Sequence, residues 1–218
     1  MKISFKCRTF KSLAAAAGLA TSLVGCSGGP QKLTGPSFSP DGIASKAMEL
    51  YDKDGDGAIA GSELDATPAL KAALATLDAD KDGKVTAGEI AQRVEAWLAT
   101  RTALTSCTCR VMLDGKPLQG ATVTFEPDPC LNGAVQTAVG TTTELGTAGM
   151  EIPKENRVPP NAPPGLALGL YLVRVSKQAN GVESIPARYN TETTLGQQVA
   201  PDDPAVMAQK VIFELNSK

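Results

Sequence analysis

The sequence contains no histidine and few aromatic residues. Among its 218 residues the count of histidine is zero, and Phe, Trp and Tyr together make up 4%. The chain therefore lacks the commonest general base and metal ligand, and it cannot form a Ser-His or Cys-His nucleophile pair. This absence argues against a hydrolytic enzyme, and we predict a protein that is not an enzyme.

The remaining composition is that of an ordinary folded protein. Hydrophobic residues make up 42% of the chain and charged residues 20%, so one or two packed domains are expected. The formal net charge is −2, and no basic run stands out beyond the first residues. We therefore expect no nucleic-acid partner.

The N-terminal segment has the features of an export signal. Residues 1–25 combine a basic front with a short apolar run that ends at Val24. The letters LVGC that follow at 23–26 resemble the bacterial lipobox, which implies cleavage before Cys26 and lipidation of that cysteine. Cleavage would take the net charge from −2 to −6, since the segment holds four basic and no acidic residues. We predict an exported cell-envelope protein, anchored to a membrane through Cys26 or otherwise secreted, with a flexible tether over 26–38.

Two acidic stretches match the spacing of a calcium loop. Such a loop places oxygen ligands at positions 1, 3, 5 and 12, a backbone carbonyl at position 7 and glycine at position 6. Residues 52–63, here called loop 1, and residues 78–89, called loop 2, both fit D-x-[DN]-x-[DN]-G-x5-E without a departure. We therefore predict two Ca²⁺ sites. The predicted ligands are Asp52, Asp54, Asp56, the carbonyl of Ala58 and Glu63 in loop 1, and Asp78, Asp80, Asp82, the carbonyl of Lys84 and Glu89 in loop 2.

Helical signals flank both loops. Ser39-Pro40 and Thr67-Pro68 are start signals, and Thr86 with Glu89 has capping-box spacing before a helix that is predicted to reach about Thr100. Trp97 falls on the apolar face of that helix and is predicted to be a core residue. Over residues 39–101 the chain resembles the EF-hand family. The region contains a single methionine, Met48, so stabilisation by calcium is favoured over a calcium-responsive sensor with a methionine-lined groove.

The pattern changes to an alternation of period two after about residue 104. Turn signals such as Asn132-Gly133 separate the alternating stretches, so the second half is predicted to be an antiparallel β-sandwich of about seven strands. The predicted fold class is therefore α+β, with a helical domain at 39–101 followed by a β domain at 104–218. The alternating stretches that predict strands are Cys109–Leu113, Ala121–Phe125, Tyr171–Val175 and Val211–Leu215.

Three segments of this second half resemble a known family. The stretches LDGKPLQGATVTFEP at 113–127, PPGLALGLYLVRVS at 163–176 and IPARYNTETTLGQQV at 185–199 are similar to the carboxypeptidase regulatory-like, or transthyretin-like, domain of secreted bacterial proteins. The resemblance covers about 104–218 and implies a noncatalytic module. Its expected partners are cell-surface proteins or polysaccharides.

The cysteines predict a disulfide whose pairing the sequence does not decide. With Cys7 in the signal and Cys26 in the lipidation site, three cysteines remain, and export favours a disulfide between Cys130 and either Cys107 or Cys109.

Three readings of the function compete. The leading one is a calcium-binding envelope lipoprotein whose β domain contacts other surface components. A carbohydrate-binding or adhesin module is the alternative, for which Tyr189 is the only plausible exposed stacking residue. A glycosidase that uses Glu126 and Asp128 is the weakest, because the two acids lie beside prolines in a predicted turn.

Overall fold

Five helices lie among the residues that the computed structural model describes, which are 33–218. The predicted signal peptide at 1–25, the predicted lipidation site Cys26 and residues 26–32 of the tether lie outside this range. Within 33–218, none of the helices combines the length and the apolar character that crossing a lipid bilayer requires. The helices α1 to α5 span Pro40–Tyr51, Gly61–Asp65, Pro68–Leu77, Ala87–Thr100 and Pro204–Met207.

The long helices begin where the capping signals predicted. The Ser39 side chain accepts from the Gly42 N–H at 3.3 Å at the start of α1. Helix α4 carries both halves of the predicted capping box, since Thr86 and Glu89 exchange side-chain and backbone hydrogen bonds. Thr67 differs from the expectation, because its hydroxyl bonds the carbonyls of the preceding helix instead of capping α3. The sequence signals therefore place all three helix starts.

Within the described part of the chain, twelve strands accompany the helices. Two of them, β1 and β2, are two-residue strands within the acidic loops, and the other ten follow residue 106. The four alternating stretches all form strands, with small changes at their ends. The strands β1 to β12 span Ala58–Ile59, Val85–Thr86, Cys107–Leu113, Lys116–Pro117, Thr122–Pro127, Ala138–Thr141, Thr147–Met150, Gly169–Ser176, Gln178–Ala179, Val182–Glu183, Leu195–Val199 and Val211–Leu215.

Most of the strands after residue 106 form two four-stranded sheets. Sheet I has the order β11-β8-β5-β6, and sheet II consists of β12-β3-β4 together with β7, which also pairs with β3. Sheet I is antiparallel throughout, as predicted. Sheet II departs from the prediction at one pair, because β12 runs parallel to β3, with Val211 opposite Cys109. Alternation along a strand indicates which side chains are buried, but it carries no information on the direction of the neighbouring strand. The α+β class is confirmed.

Aromatic side chains link the two sheets. The Phe125 ring, on β5 of sheet I, lies 6.1 Å between centroids from the Phe213 ring on β12 of sheet II. The Tyr171 ring on β8 lies 5.9 Å from the same Phe125 ring. All three side chains are buried. Such edge-to-face and tilted contacts add to the stabilisation that burial alone provides.

The helical region, defined here as residues 40–100, lies against the β region, defined as residues 107–215. The two regions contribute to one hydrophobic cluster that includes Leu70 and Trp97 from the helices and Leu170 and Val199 from the strands. The described residues, 33–218, belong to a single compact unit. The burial of Trp97 confirms that this side chain is a core residue. The predicted boundary between two domains near residue 102 stays a prediction.

Candidate metal centre

The two acidic loops lie side by side at one end of the helical region. Loop 1 follows α1 and contains β1 and the start of α2, while loop 2 follows α3 and contains β2 and the start of α4. Strands β1 and β2 pair antiparallel, with Ile59 opposite Val85. These are the apolar residues at position 8 of each loop, and both are fully buried. The pairing holds the two loops together and leaves their acidic side chains toward solvent.

Carboxylate oxygens converge in both loops. The carboxylates of Asp52, Asp54 and Glu63 each offer an oxygen, and these oxygens lie within 4.8 Å of one another. In loop 2 the same is true of Asp78, Asp80 and Asp82. Two predicted side-chain ligands, Asp56 and Glu89, fall outside these groups. Each loop could therefore hold a metal ion with three of its four predicted carboxylates already close together.

The first aspartate of each loop organises the backbone of the turn. Asp52 accepts hydrogen bonds from the Gly55 and Gly57 N–H groups at 2.8 and 3.1 Å. Asp78 accepts from the Asp82 and Gly83 N–H groups at 3.1 and 2.9 Å. The chain turns sharply at Gly57 and Gly83, where φ is +91° and +81°. Because side chains disfavour that backbone conformation, the glycine at position 6 is a requirement of the loop geometry.

The final glutamate of each loop closes it onto its own beginning. Glu63 Oε1 accepts from the Lys53 N–H at 2.6 Å, and its Oε2 accepts from the Ala60 N–H at 3.2 Å. Glu89 repeats this arrangement with the Ala79 and Thr86 N–H groups, at 2.9 and 2.8 Å. Each carboxylate thus bridges positions 2 and 9 of its loop.

These hydrogen bonds stabilise the ionised form of both glutamates. The hydrogen bond from the Lys53 N–H, followed by that from Ala60, lowers the pKa of Glu63 below its ordinary value. For Glu89, burial acts to raise the pKa, but hydrogen bonds from the Thr86 backbone and side chain and from Ala79 outweigh it, and the pKa is lowered. Both carboxylates are therefore charged at neutral pH, as a cation ligand must be.

A lysine links the two loops through its side chain. Lys84 Nζ, at position 7 of loop 2, lies 3.7 Å from Asp56 Oδ2, at position 5 of loop 1. From the sequence, Lys84 was predicted to contribute only its backbone carbonyl as a ligand. Its side-chain contact with Asp56 connects two loops that are paired through β1 and β2. Asp56, the carboxylate that stands apart from the loop 1 group, is the one that faces this ammonium.

The donor set fits a hard cation. All the converging groups are carboxylate oxygens, which suit Ca²⁺, Mg²⁺ or Mn²⁺ better than metals that prefer nitrogen or sulfur ligands. Every member of the two groups is exposed or half-buried, so an ion can reach them from solvent. What these loops can do chemically is bind a divalent cation at each of two neighbouring positions.

The predicted disulfide is absent. Cys107, Cys109 and Cys130 are all free and buried. Cys107 and Cys109 lie on β3 of sheet II, where the Cys109 Sγ lies 3.8 Å from the Met150 Sδ. Cys130 lies in a short 3₁₀ turn after β5 of sheet I. Burial raises the pKa of Cys107 and of Cys109 to about 12 and that of Cys130 well above its ordinary value, so these thiols are poor nucleophiles.

The residues that the weaker functional readings need make contacts within the folded chain. The Glu126 carboxylate accepts from Arg174 Nε at 2.6 Å, and Asp128 is buried, where it accepts from the Tyr51 hydroxyl at 2.8 Å. The prediction that Tyr189 is exposed is wrong. Its side chain is 8% exposed, and the Arg188 guanidinium carbon lies 4.8 Å from the centre of its ring. Local sequence could not reveal this burial, because it depends on contacts between distant strands.

Comparison with known proteins identifies no relative of this chain. Neither the scan against protein-family models nor the search of curated proteins returns a match for this chain. The case for the metal centre therefore rests on the loop spacing and on the geometry of the two acidic groups.

Proposed function

We propose that this protein is a calcium-binding, non-enzymatic lipoprotein of the cell envelope, in which Ca²⁺ stabilises a pair of EF-hand loops. The observation that carries the proposal is the convergence of three carboxylates in each of two paired loops that share the same spacing. Twelve-residue loops that end in a glutamate suit the larger, flexibly coordinated Ca²⁺ better than Mg²⁺, which demands near-ideal octahedral geometry. The loop backbones already carry the turns that such coordination needs.

A structural role for the ion is favoured over a sensor role. The apolar side chains of α1, α3 and α4, among them Ile43, Leu70 and Trp97, are buried against one another and against the β region. A sensor exposes a methionine-rich groove when it binds calcium, whereas Met48 is the single methionine of these helices and packs against the core. Calcium therefore stabilises the loops by offsetting the repulsion between the carboxylates within each loop.

In this proposal, the β region is the part of the protein that contacts other molecules. Sheets I and II, joined through Phe125 and Phe213, support an interpretation as a β-sandwich of the transthyretin-like kind. Its partner is expected to be a cell-surface protein or a polysaccharide. The envelope location follows from the export signal at 1–25 and the lipobox cysteine, Cys26.

Calorimetric titration with Ca²⁺ tests the metal sites directly. The full chain should bind two ions, and Glu63→Gln or Glu89→Gln should each weaken or remove one site, because the variant loses a charged ligand. At a free calcium concentration 100 times Kd, each site should add about 2.7 kcal/mol to the free energy of unfolding. Thermal melting with calcium and with excess chelator measures that stabilisation.

Glu95→Gln is the matched control for the titration. Glu95 is exposed on α4 and lies outside both loops, so this variant makes the same change in charge and should still bind two ions. A wild-type chain without binding heat, or a melting curve that chelator leaves unchanged, would contradict the proposed function.

A further inference from the structure

A hydrogen bond connects the start of loop 1 to the β region. Tyr51 is the last residue of α1 and directly precedes Asp52, the first predicted ligand. Its hydroxyl donates to Asp128 Oδ1 at 2.8 Å. Asp128 is 2% exposed, and the same oxygen accepts from the Cys130 N–H at 2.9 Å at the start of the turn that follows β5. Loss of the Tyr51 contact would leave a buried carboxylate with one donor fewer, which is unfavourable.

A second polar bridge connects the helices of loop 2 to sheet I. Gln198 on β11 is 1% exposed, and its amide nitrogen donates to the Thr76 hydroxyl at 2.9 Å, two residues before Asp78. The Gln198 side-chain oxygen accepts from Arg93 Nε of α4 at 2.8 Å. Arg93 also makes a bidentate pair with Asp202, with N···O distances of 2.6 and 2.7 Å. The buried amide of one strand thus joins the helix that enters loop 2 to the helix that leaves it.

Helix α3 also lies directly on the backbone of β11. A Cβ atom added at Gly196 would overlap the carbonyl group of Pro68, the first residue of α3. The contact is backbone against backbone, so α3 cannot move toward the strand, and separation would expose both. Leu70 and Val199, which are fully buried, belong to the same hydrophobic cluster.

We propose that metal occupancy of the loops controls the stability of sheet I, so that the helical region and the sheet open as one cooperative unit. The inference rests on the proposed function, because it takes the metal to be Ca²⁺ bound in loops 1 and 2. Each loop is attached at its first residue to a helix end that contacts the β region, through Tyr51 or Thr76. Separating the helices from sheet I would break the hydrogen bonds that Gln198 of β11 and Asp128, which follows β5, make to them. An ion that binds only the closed loops therefore makes opening of the strand rarer as well.

Hydrogen exchange measured by mass spectrometry, on the full chain with CaCl₂ or with chelator, tests this coupling. Amides of β8 and β11 should exchange more slowly with calcium, by up to about 100-fold for each occupied site at 100 times Kd, if they exchange through the shared opening. Slower exchange confined to residues 40–100 would overturn the inference and leave the proposed function intact. An absence of binding in the calorimetric titration would instead remove the proposed function itself.

Gly196→Ala tests whether the contact between α3 and β11 couples metal binding to the stability of sheet I. The added methyl group should push α3 away from β11, so the calcium-dependent protection of β11 should fall at least severalfold while two-site calcium binding is retained. Gly149→Ala is the matched control: Gly149 is an exposed strand residue on β7, and a Cβ added there meets nothing within 4 Å. This control should keep the wild-type protection ratio.

A second variant covers the case in which Gly196→Ala fails to fold. Tyr51→Phe removes only the hydroxyl that Asp128 accepts from, and it should lower the calcium-dependent protection around residues 128–131. Full wild-type protection of β11 in a folded Gly196→Ala protein, together with full protection of 128–131 in Tyr51→Phe, would overturn the coupling through these contacts.

Discussion

The helical region and the β region reach their structures by different means. In the helical region, caps and predicted ligands lie within about twelve residues of one another, and Thr86 and Glu89 of the capping box are three positions apart. In the β region, the pairing partners lie far apart in the chain, as Val211 and Cys109 do. The helical region exposes two groups of carboxylates that we propose to bind an ion, whereas the β region, residues 107–215, carries no such group and is held mainly by packed apolar side chains. The comparison shows that one compact unit combines a part whose structure follows from local signals, and whose stability we expect to depend on a bound ion, with a part whose structure depends on long-range packing.

The largest expected effect comes from removing the aromatic contact between the sheets. Phe125→Ala should lower the free energy of unfolding by about 3 to 5 kcal/mol, since a fully buried ring would leave a cavity. The calcium affinity of the folded protein should not change, because the loop ligands are local to residues 52–89. Urea denaturation and calorimetry measure the two quantities.

Ile212→Ala is the control for this packing experiment. Ile212 lies on β12 beside Phe213, but its side chain is 54% exposed, so the change should stay within about 0.5 kcal/mol. If Phe125→Ala weakened calcium binding under conditions in which the protein stays folded, the contrast between a packed part and an ion-dependent part would not hold.

An intermediate effect is expected where the two regions meet. Arg93 is 7% exposed and donates to Gln198 and Asp202, so Arg93→Met should lower the free energy of unfolding by about 1.5 to 3 kcal/mol. Arg110→Met, at an exposed arginine on β3, makes the same change in charge and should have an effect of at most about 0.5 kcal/mol. Chemical denaturation in the presence of chelator separates these effects from calcium binding.

The ion pair between Arg93 and Asp202 predicts that the stability of the protein depends on pH. The hydrogen bond from Arg93 lowers the pKa of Asp202 below its ordinary value of 3.8. A carboxylate whose pKa is lower in the folded state stabilises the protein above its unfolded-state pKa, and this contribution is lost as the pH falls through the folded-state pKa. The difference in stability between wild type and Arg93→Met should therefore be constant from pH 7 to about pH 5 and shrink below about pH 4. A difference that grew on acidification would contradict this origin.

The smallest expected effect concerns the contact between the loops. Lys84→Gln removes an ammonium that lies 3.7 Å from Asp56, so loop 1 should bind Ca²⁺ more tightly, by about 0.2 to 1 kcal/mol at low ionic strength. Lys71→Gln, which removes an exposed partner of Asp65 outside the loops, is the matched control and should leave both affinities nearly unchanged. Calorimetry at low and high salt checks the prediction, and weaker binding by Lys84→Gln would show that the lysine does not compete with the ion.

Several features of the helical region could be predicted because their signals are local. Ser39-Pro40 and the Thr86–Glu89 pair begin helices as expected. Each of these signals depends on residue types at short, fixed spacings, which an unfolded chain carries as well. The carboxylates that converge were predicted for the same reason.

Features that depend on contacts between distant residues could not be predicted. Tyr189 is buried although it follows a proline-containing turn, and Asp128 accepts from the Tyr51 hydroxyl 77 positions earlier in the chain. The parallel pairing of β12 with β3 also follows from the order of the strands, and Cys130 is not bonded to either cysteine of β3. Local alternation predicts which face of a strand is buried, but it does not indicate which strand lies beside it.

By itself, the sequence determined the positions of the two acidic loops, the helices that flank them and the change to strands after about residue 104. Only the tertiary structure decided that Asp56 faces Lys84 and that Gln198 of β11 connects α3 with α4. The physical reason is the range of the interactions involved. Caps, turns and loop ligands act over a few residues, whereas a buried polar bridge exists only after the folded chain has brought distant segments together.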